Sequence, residues 1–242
     1  MLRITWMLSG EEVASFSVEE LSEVKAIKQE LYRNHHQPVR FRQKLFLCGN
    51  PDDPLDDSVL LDSPMELQLV LLPYSGTSET EAEALRSASA CGSLCEVEAM
   101  LQLPQHPDIA DRDGFTSLMK AAQNGHEEVV RLLLEAGAAQ DLANNTGFTA
   151  LMMASVNDHV EVVQVLLHGG SDINLANYVG FTALMLASFR GYAEVVRLLL
   201  DAGADKNLRV RNGKTALMLA FESGAVEVVR LLEAPDVDKN ST

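Results

Sequence analysis

Six histidines, three cysteines, a run of paired aspartates and one Gly-Lys-Thr triplet are the residues of this 242-residue chain whose types could do chemistry. Catalysis would need a nucleophile, a base and a stabilising group brought together. His35, His36, His106, His126, His159 and His168 are scattered along the chain. Only His126 and His159 share a pattern, lying 33 residues apart, and a ring recurring at a fixed step reads as a partner for backbone rather than as a base. Cys91 and Cys95 have the i,i+4 spacing of half a tetrahedral zinc site, but Cys48 is distant and no close histidine completes the set. Gly213-Lys214-Thr215 ends like a phosphate loop without its earlier glycines or preceding strand. The aspartates of PDDPLDD, residues 51–57, lack the spacing of a calcium loop. The chain therefore reads as non-enzymatic, with no catalytic residue, no metal site and no cofactor.

Composition narrows the alternatives. Apolar types make up 47% of the chain, too many for an acidic disordered polymer, and no run approaches the ~20 apolar residues of a membrane span. Nineteen basic against 35 acidic residues give net −16, which argues against binding a phosphate backbone. Three cysteines do not make a disulfide framework, and MLRITWMLSGEEV is a poor secretory leader, so a reducing cytoplasmic or nuclear location is expected. The charge is divided: residues 1–74 carry 7 basic and 12 acidic groups, and residues 75–242 carry 12 and 23.

These two parts differ in grammar. In the first, Leu2, Ile4 and Trp6 alternate with polar residues, Ser9-Gly10 marks a turn, and VASFSV resumes the alternation as a hairpin. SVEELSEVKAIKQELY then adopts helical spacing through Leu21, Val24, Ile27, Lys28 and Leu31, with Ser17 and Glu20 placed as a capping box. RQKLFLC and MELQLVLL supply two further strands. The opening MLRITWMLSG, the helix SEVKAIKQEL, the strand RQKLFLCGN and the closing LQLVLL resemble the ubiquitin-like fold in order and sequence. That resemblance implies an α+β β-grasp domain over 1–74, with an apolar recognition patch at Leu8, Phe46 and Val70. The alternative is that these three merely finish a small core. The chain continues through Leu71-Leu72-Pro73-Tyr74 rather than ending in Gly-Gly, so conjugation is not implied.

After a short linker at 75–80, the sequence repeats every 33 residues: 113–145, 146–178, 179–211 and 212–242. Gly114, Gly147, Gly180 and Gly213 mark each start. A degenerate copy at 81–112 keeps the register through Leu85, Ala88, Gly92 and Val97. Thr116, Thr149, Thr182 and Thr215 are placed to cap a short first helix. Gly125, Asp158, Gly191 and Gly224 turn the chain into a second helix, which Gly137, Gly170, Gly203 and finally Pro235 stop. A two-helix unit cannot bury its own apolar face, so the copies must stack. Met119, Met152, Met185 and Met218 are expected to form a buried ladder.

These copies resemble ankyrin repeats, which makes the fold class a ubiquitin-like β-grasp followed by an α-helical ankyrin-repeat solenoid. The resemblance implies protein binding through a concave surface of first helices and hairpin tips, and the chain is expected to be a monomer. The tips are then Arg112-Asp113, Asn145-Thr146, Tyr178-Val179 and Arg211-Asn212. In the middle copies this surface becomes apolar and aromatic. Met153, Val156, Tyr178, Val179, Leu186 and Phe189, flanked by Arg190, Arg209 and Arg211, form a candidate protein-binding patch; ordinary core packing is the alternative. The function expected is an adaptor, with repeats holding a client and the N-terminal domain meeting ubiquitin or proteasome machinery. A scaffold or steric regulator without that role is the competing reading.

Overall fold

Alternating residues at the start of the chain place Leu2 and Ile4 on one side of a strand, and that side is buried. The computed structural model describes residues 2–7, 11–17, 23–34, 43–48, 50, 53–61, 63, 65–71, 76–103 and 106–234. β1 (Leu2–Trp6) and β2 (Glu12–Phe16) form an antiparallel hairpin whose register shifts between Ile4 and Thr5. β3 (Gln43–Leu47) and β4 (Met65–Leu71) form a second antiparallel pair, and β1 joins β4 in parallel. The sheet order is β2-β1-β4-β3. One helix, α1 (Val24–Asn34), packs Val24, Ile27 and Leu31 against Leu45, Leu67 and Leu69. Fully burying each such side chain stabilises by roughly 1.5–3 kcal/mol. Lys28, on the same helix, is also buried, and its ammonium reaches Asp57 Oδ1 at 2.5 Å. Without that carboxylate, a buried charge would be strongly destabilising.

The helix starts later than its sequence spacing suggests. Glu23 is still in an isolated bridge to Leu60, and α1 opens at Val24, so Ser17 is too far away to cap it. Glu20 and Leu21 lie outside the described residues.

The chain clusters into two compact units. The first takes in Met1–Ser78 with Glu98–Pro107 and Glu135–Ala138, and the second takes in Glu79–Val97, Asp108–Leu134 and Ala139–Thr242. From α2 onward, helices come in pairs: α2 (Glu79–Cys91) and α3 (Leu94–Leu101), α4 (Ser117–Asn124) and α5 (Glu127–Glu135), α6 (Ala150–Val156) and α7 (Val160–His168), α8 (Ala183–Arg190) and α9 (Ala193–Asp201), α10 (Ala216–Ser223) and α11 (Val226–Glu233). The first helices pack in sequence, α2 on α4, α4 on α6, α6 on α8 and α8 on α10.

Local chemistry explains the pairs. Thr116, Thr149, Thr182 and Thr215 are extended and accept hydrogen bonds from the backbone N–H groups of Met119, Met152, Met185 and Met218 at 3.3–3.4 Å. Such a cap contributes about 1 kcal/mol. Asp158, with φ of 60°, holds a place filled by left-handed glycines in the other copies. At Gly125 the glycine is required twice, because its φ is +77° and an added Cβ would lie 2.6 Å from the His159 ring. The degenerate copy departs most: α2 is already helical at Glu81-Ala82, where the others form a hairpin.

The methionine ladder is shorter than the spacing implies. Met119, Met152 and Met185 are buried, but Met218 is 47% exposed. Each interior methionine lies under the next first helix, whereas no described helix follows α10 and α11 to cover Met218.

Candidate functional site

Four tight turns carry the hairpin tips. Gly114, Gly147, Gly180 and Gly213 donate their N–H groups to the carbonyls of Asp111, Asn144, Asn177 and Val210 at 2.7–2.9 Å. The central pairs of those turns are therefore Arg112-Asp113, Asn145-Thr146, Tyr178-Val179 and Arg211-Asn212, as the register implies. Each glycine has a φ between 83° and 99°, where a side chain would be strained.

A side-chain acceptor stiffens three of the four turns, a feature the sequence reading missed. Asp111 Oδ1 accepts from the N–H groups of Asp113 and Phe115 at 2.9 and 2.8 Å. Asn144 Oδ1 does the same for Thr146 and Phe148, both at 2.9 Å, and Asn177 Oδ1 for Val179 and Phe181 at 3.0 and 2.9 Å. The signal is an Asp or Asn three residues before Gly114, Gly147 and Gly180, with Val210 before Gly213. Burial alone would raise the Asp111 carboxyl, but those two N–H bonds and nearby Lys120 outweigh it and hold it below the ordinary carboxylate range.

Neighbouring tips are tied together. Asn145 N–H donates to Asp113 O at 3.0 Å, Tyr178 N–H to Thr146 O at 3.3 Å and Arg211 N–H to Val179 O at 3.4 Å. The Tyr178 ring lies across Gly147, where an added Cβ would come within 2.9 Å of its Cδ1.

The binding-patch residues divide. Tyr178, Val179 and Phe189 are 61%, 55% and 48% exposed, and Arg190, Arg209 and Arg211 are exposed beside them in the register. Val156 and Leu186 are half-buried. Met153 is a correction: at 7% exposure it belongs to the core, because α6 is packed on both sides by α4 and α8. The apolar surface is thus centred on the Tyr178 tip and the end of α8, with little contribution from α6. Arg209 Nη1 donates to Gly213 O at 3.2 Å, which draws its guanidinium toward the next turn.

On the N-terminal sheet, Phe46 and Val70 alternate with buried Leu45 and Leu69 and so share the face turned away from the core. Both are half-buried, and Leu8 lies outside the described residues.

The recurring histidines act as structure. His126 Nε2 meets Ala90 O at 2.9 Å, and His159 Nε2 meets Gln123 O at 3.0 Å, each reaching the end of the preceding first helix. An N–H there satisfies a carbonyl that the helix end leaves open. Cys48, Cys91 and Cys95 are exposed thiols. Among the described residues no group of three or more His, Cys, Asp or Glu is arranged to hold a metal ion, and no helix is long and apolar enough to cross a membrane.

Residues 85–177 and 171–242 match the family model described as ankyrin repeats in three copies.

Proposed function

The chain belongs to the ankyrin-repeat family, whose repeats are generally protein–protein interaction modules, and on that premise we propose that it is a non-enzymatic adaptor that docks a client protein on the first-helix and tip surface of its third and fourth repeats. The observation that carries this reading is the exposure of Tyr178, Val179 and Phe189, with Arg190, Arg209 and Arg211 exposed beside them in the register. Aromatic anchors with arginines beside them are the composition of interface hot spots. Phe189→Ala is expected to abolish client capture in a pull-down while costing under about 1 kcal/mol in urea denaturation, because the ring is half in solvent. A loss of several kcal/mol would instead make Phe189 a core residue and end the docking reading.

The N-terminal unit belongs to the same proposal as a ubiquitin-like β-grasp that meets ubiquitin or proteasome machinery through Phe46 and Val70. Two hairpins joined by a parallel central pair, with one helix across the sheet, support the resemblance. Introducing Phe46→Glu and Val70→Glu together in the full chain should remove ubiquitin-pathway proteins from the captured set and leave repeat clients in place. An unchanged set would favour a scaffold or steric regulator with no such role.

A further inference from the structure

The docking face has a charge that the rest of the chain does not. Net charge is −16, yet α4, α6 and α8 contain no Asp or Glu, whereas α5, α7, α9 and α11 each contain at least one. In the repeat unit, Arg86, Lys120, Arg131, Arg197, Lys214 and Arg230 are each paired with a carboxylate. Arg190, Arg209 and Arg211 are in no ion pair among the described residues, as is Arg112 two tips away. The nearest acid in the first-helix row, Glu222, is already engaged by Lys214 at 2.7 Å. Three guanidinium groups without an ion pair therefore lie beside Tyr178, Val179 and Phe189 in the register, on an otherwise acidic protein.

From this complementarity we infer that the client presents an acidic linear segment, with one apolar side chain on Tyr178 and Val179 at the tip, another on Phe189 at the end of α8, and carboxylates meeting Arg190, Arg209 and Arg211. This rests on the docking reading above and adds the chemical class of the occupant. Guanidinium groups match carboxylates in a planar, two-pronged geometry, which makes arginine the suitable cation here. The helix from Thr182 to Arg190 rises about 12 Å. An extended peptide advances roughly 3.3 Å per residue, so about four residues run the length of α8 and more are needed to reach the tip as well. A chain of net charge −16 repels such a segment in general, so a local group of cations favours where it docks.

The test is selection of a random-peptide phage library on the full chain, followed by affinity measurements on the enriched peptides. Sequences rich in Asp and Glu around Leu, Phe or Trp are expected. Their binding should weaken about tenfold or more in the Arg190→Glu, Arg209→Glu, Arg211→Glu variant, and also when salt rises from about 0.05 to about 0.5 M. The corresponding Arg→Lys variant should retain most of it, and unchanged urea midpoints keep folding out of the comparison. Enrichment of neutral or basic sequences, or of none, overturns the acidic class. If Phe189→Ala still abolishes client capture in that case, the docking face stands with a different occupant. If Phe189→Ala has no effect on capture, the docking reading fails as well.

Discussion

Arg86 and Met218 hold the same place in the 33-residue register at opposite ends of the repeat array, and the two ends solve that place in opposite ways. Arg86 is 2% exposed, with its guanidinium held by Glu79 at 2.6 Å, by Glu83 at 2.8 Å and by the Ile109 carbonyl at 3.0 Å. Burial works against its charge, but Glu83 and Glu79 outweigh it and raise its affinity for the proton. Met218 instead leaves its thioether half in solvent. The same contrast recurs nearby: the place of Ser89, Ala122, Ser155 and Ser188, each buried, is filled at the far end by Phe221, which is exposed. Among the described residues the first copy fills the ladder place with a paired charge, and the last described copy leaves apolar side chains exposed. The repeat pattern in between is specified by the neighbour that each copy receives.

Truncating the ladder should separate interior from end most clearly. Met185→Ala empties a fully packed position, and about 3 kcal/mol should be lost in urea denaturation. Met218→Ala removes a side chain already in water, so under about 1 kcal/mol is expected. Equal losses would mean that the open end is covered in solution. Next in size is the exchange at the small-residue place. Ser188→Phe forces a ring between α8 and α10 and should cost about 2–3 kcal/mol, while Phe221→Ser should be close to neutral. A tolerated Ser188→Phe would mean that the buried place at Ser188 has room to spare.

The charged end offers a paired test of its own. Arg86→Met places the ladder's own residue in the first copy and is expected within about 1 kcal/mol of the native protein, or above it, because apolar replacements of buried ion pairs are often neutral or stabilising. Arg86→Ala leaves a void and the Ile109 carbonyl without this donor, and should cost about 2 kcal/mol. If Met is no better than Ala, the ion cluster itself holds the first copy in place.

Much of this was legible in the sequence. The recurrence located every tip, every threonine cap, the left-handed places and the structural histidines, because each depends on contacts within one copy or between adjacent copies. What escaped depended on which neighbour is present. Met218 and Met185 share the context Thr-Ala-Leu-Met-Leu-Ala, and the helix that follows distinguishes them. Met153 looked like a surface residue because its register place is occupied by Lys120 in the preceding copy, yet α4 and α8 close over it. Arg86 was passed over because a charge at an apolar place looks like decay of the pattern, although Glu79 and Glu83 lie seven and three residues earlier, on the same helix. In the N-terminal unit the strands were readable from alternation, and the helix start was not. The bridge from Glu23 to Leu60 that delays it joins segments 37 residues apart.

The smallest effect concerns the turn acceptors, where the two ends again diverge: Asp111 at the first tip, Asn144 and Asn177 between, Val210 at the last. Asn makes the same two N–H bonds in the middle copies, so Asp111→Asn should change stability at neutral pH by less than about 1 kcal/mol, while Asp111→Ala forfeits both bonds and should cost about 1–2 kcal/mol. The pH dependence distinguishes charge from geometry. A carboxyl held below its unfolded value, about 3.9, stabilises the fold above that value and loses the contribution as pH falls through its native value. The native protein's advantage over Asp111→Asn should therefore be constant from pH 7 down to about 4 and shrink in stronger acid. Urea midpoints at neutral pH and near pH 3 measure it; an advantage that grows on acidification would mean that the Asp111 carboxyl is held above its unfolded value, with burial outweighing the Phe115 and Asp113 N–H groups and Lys120.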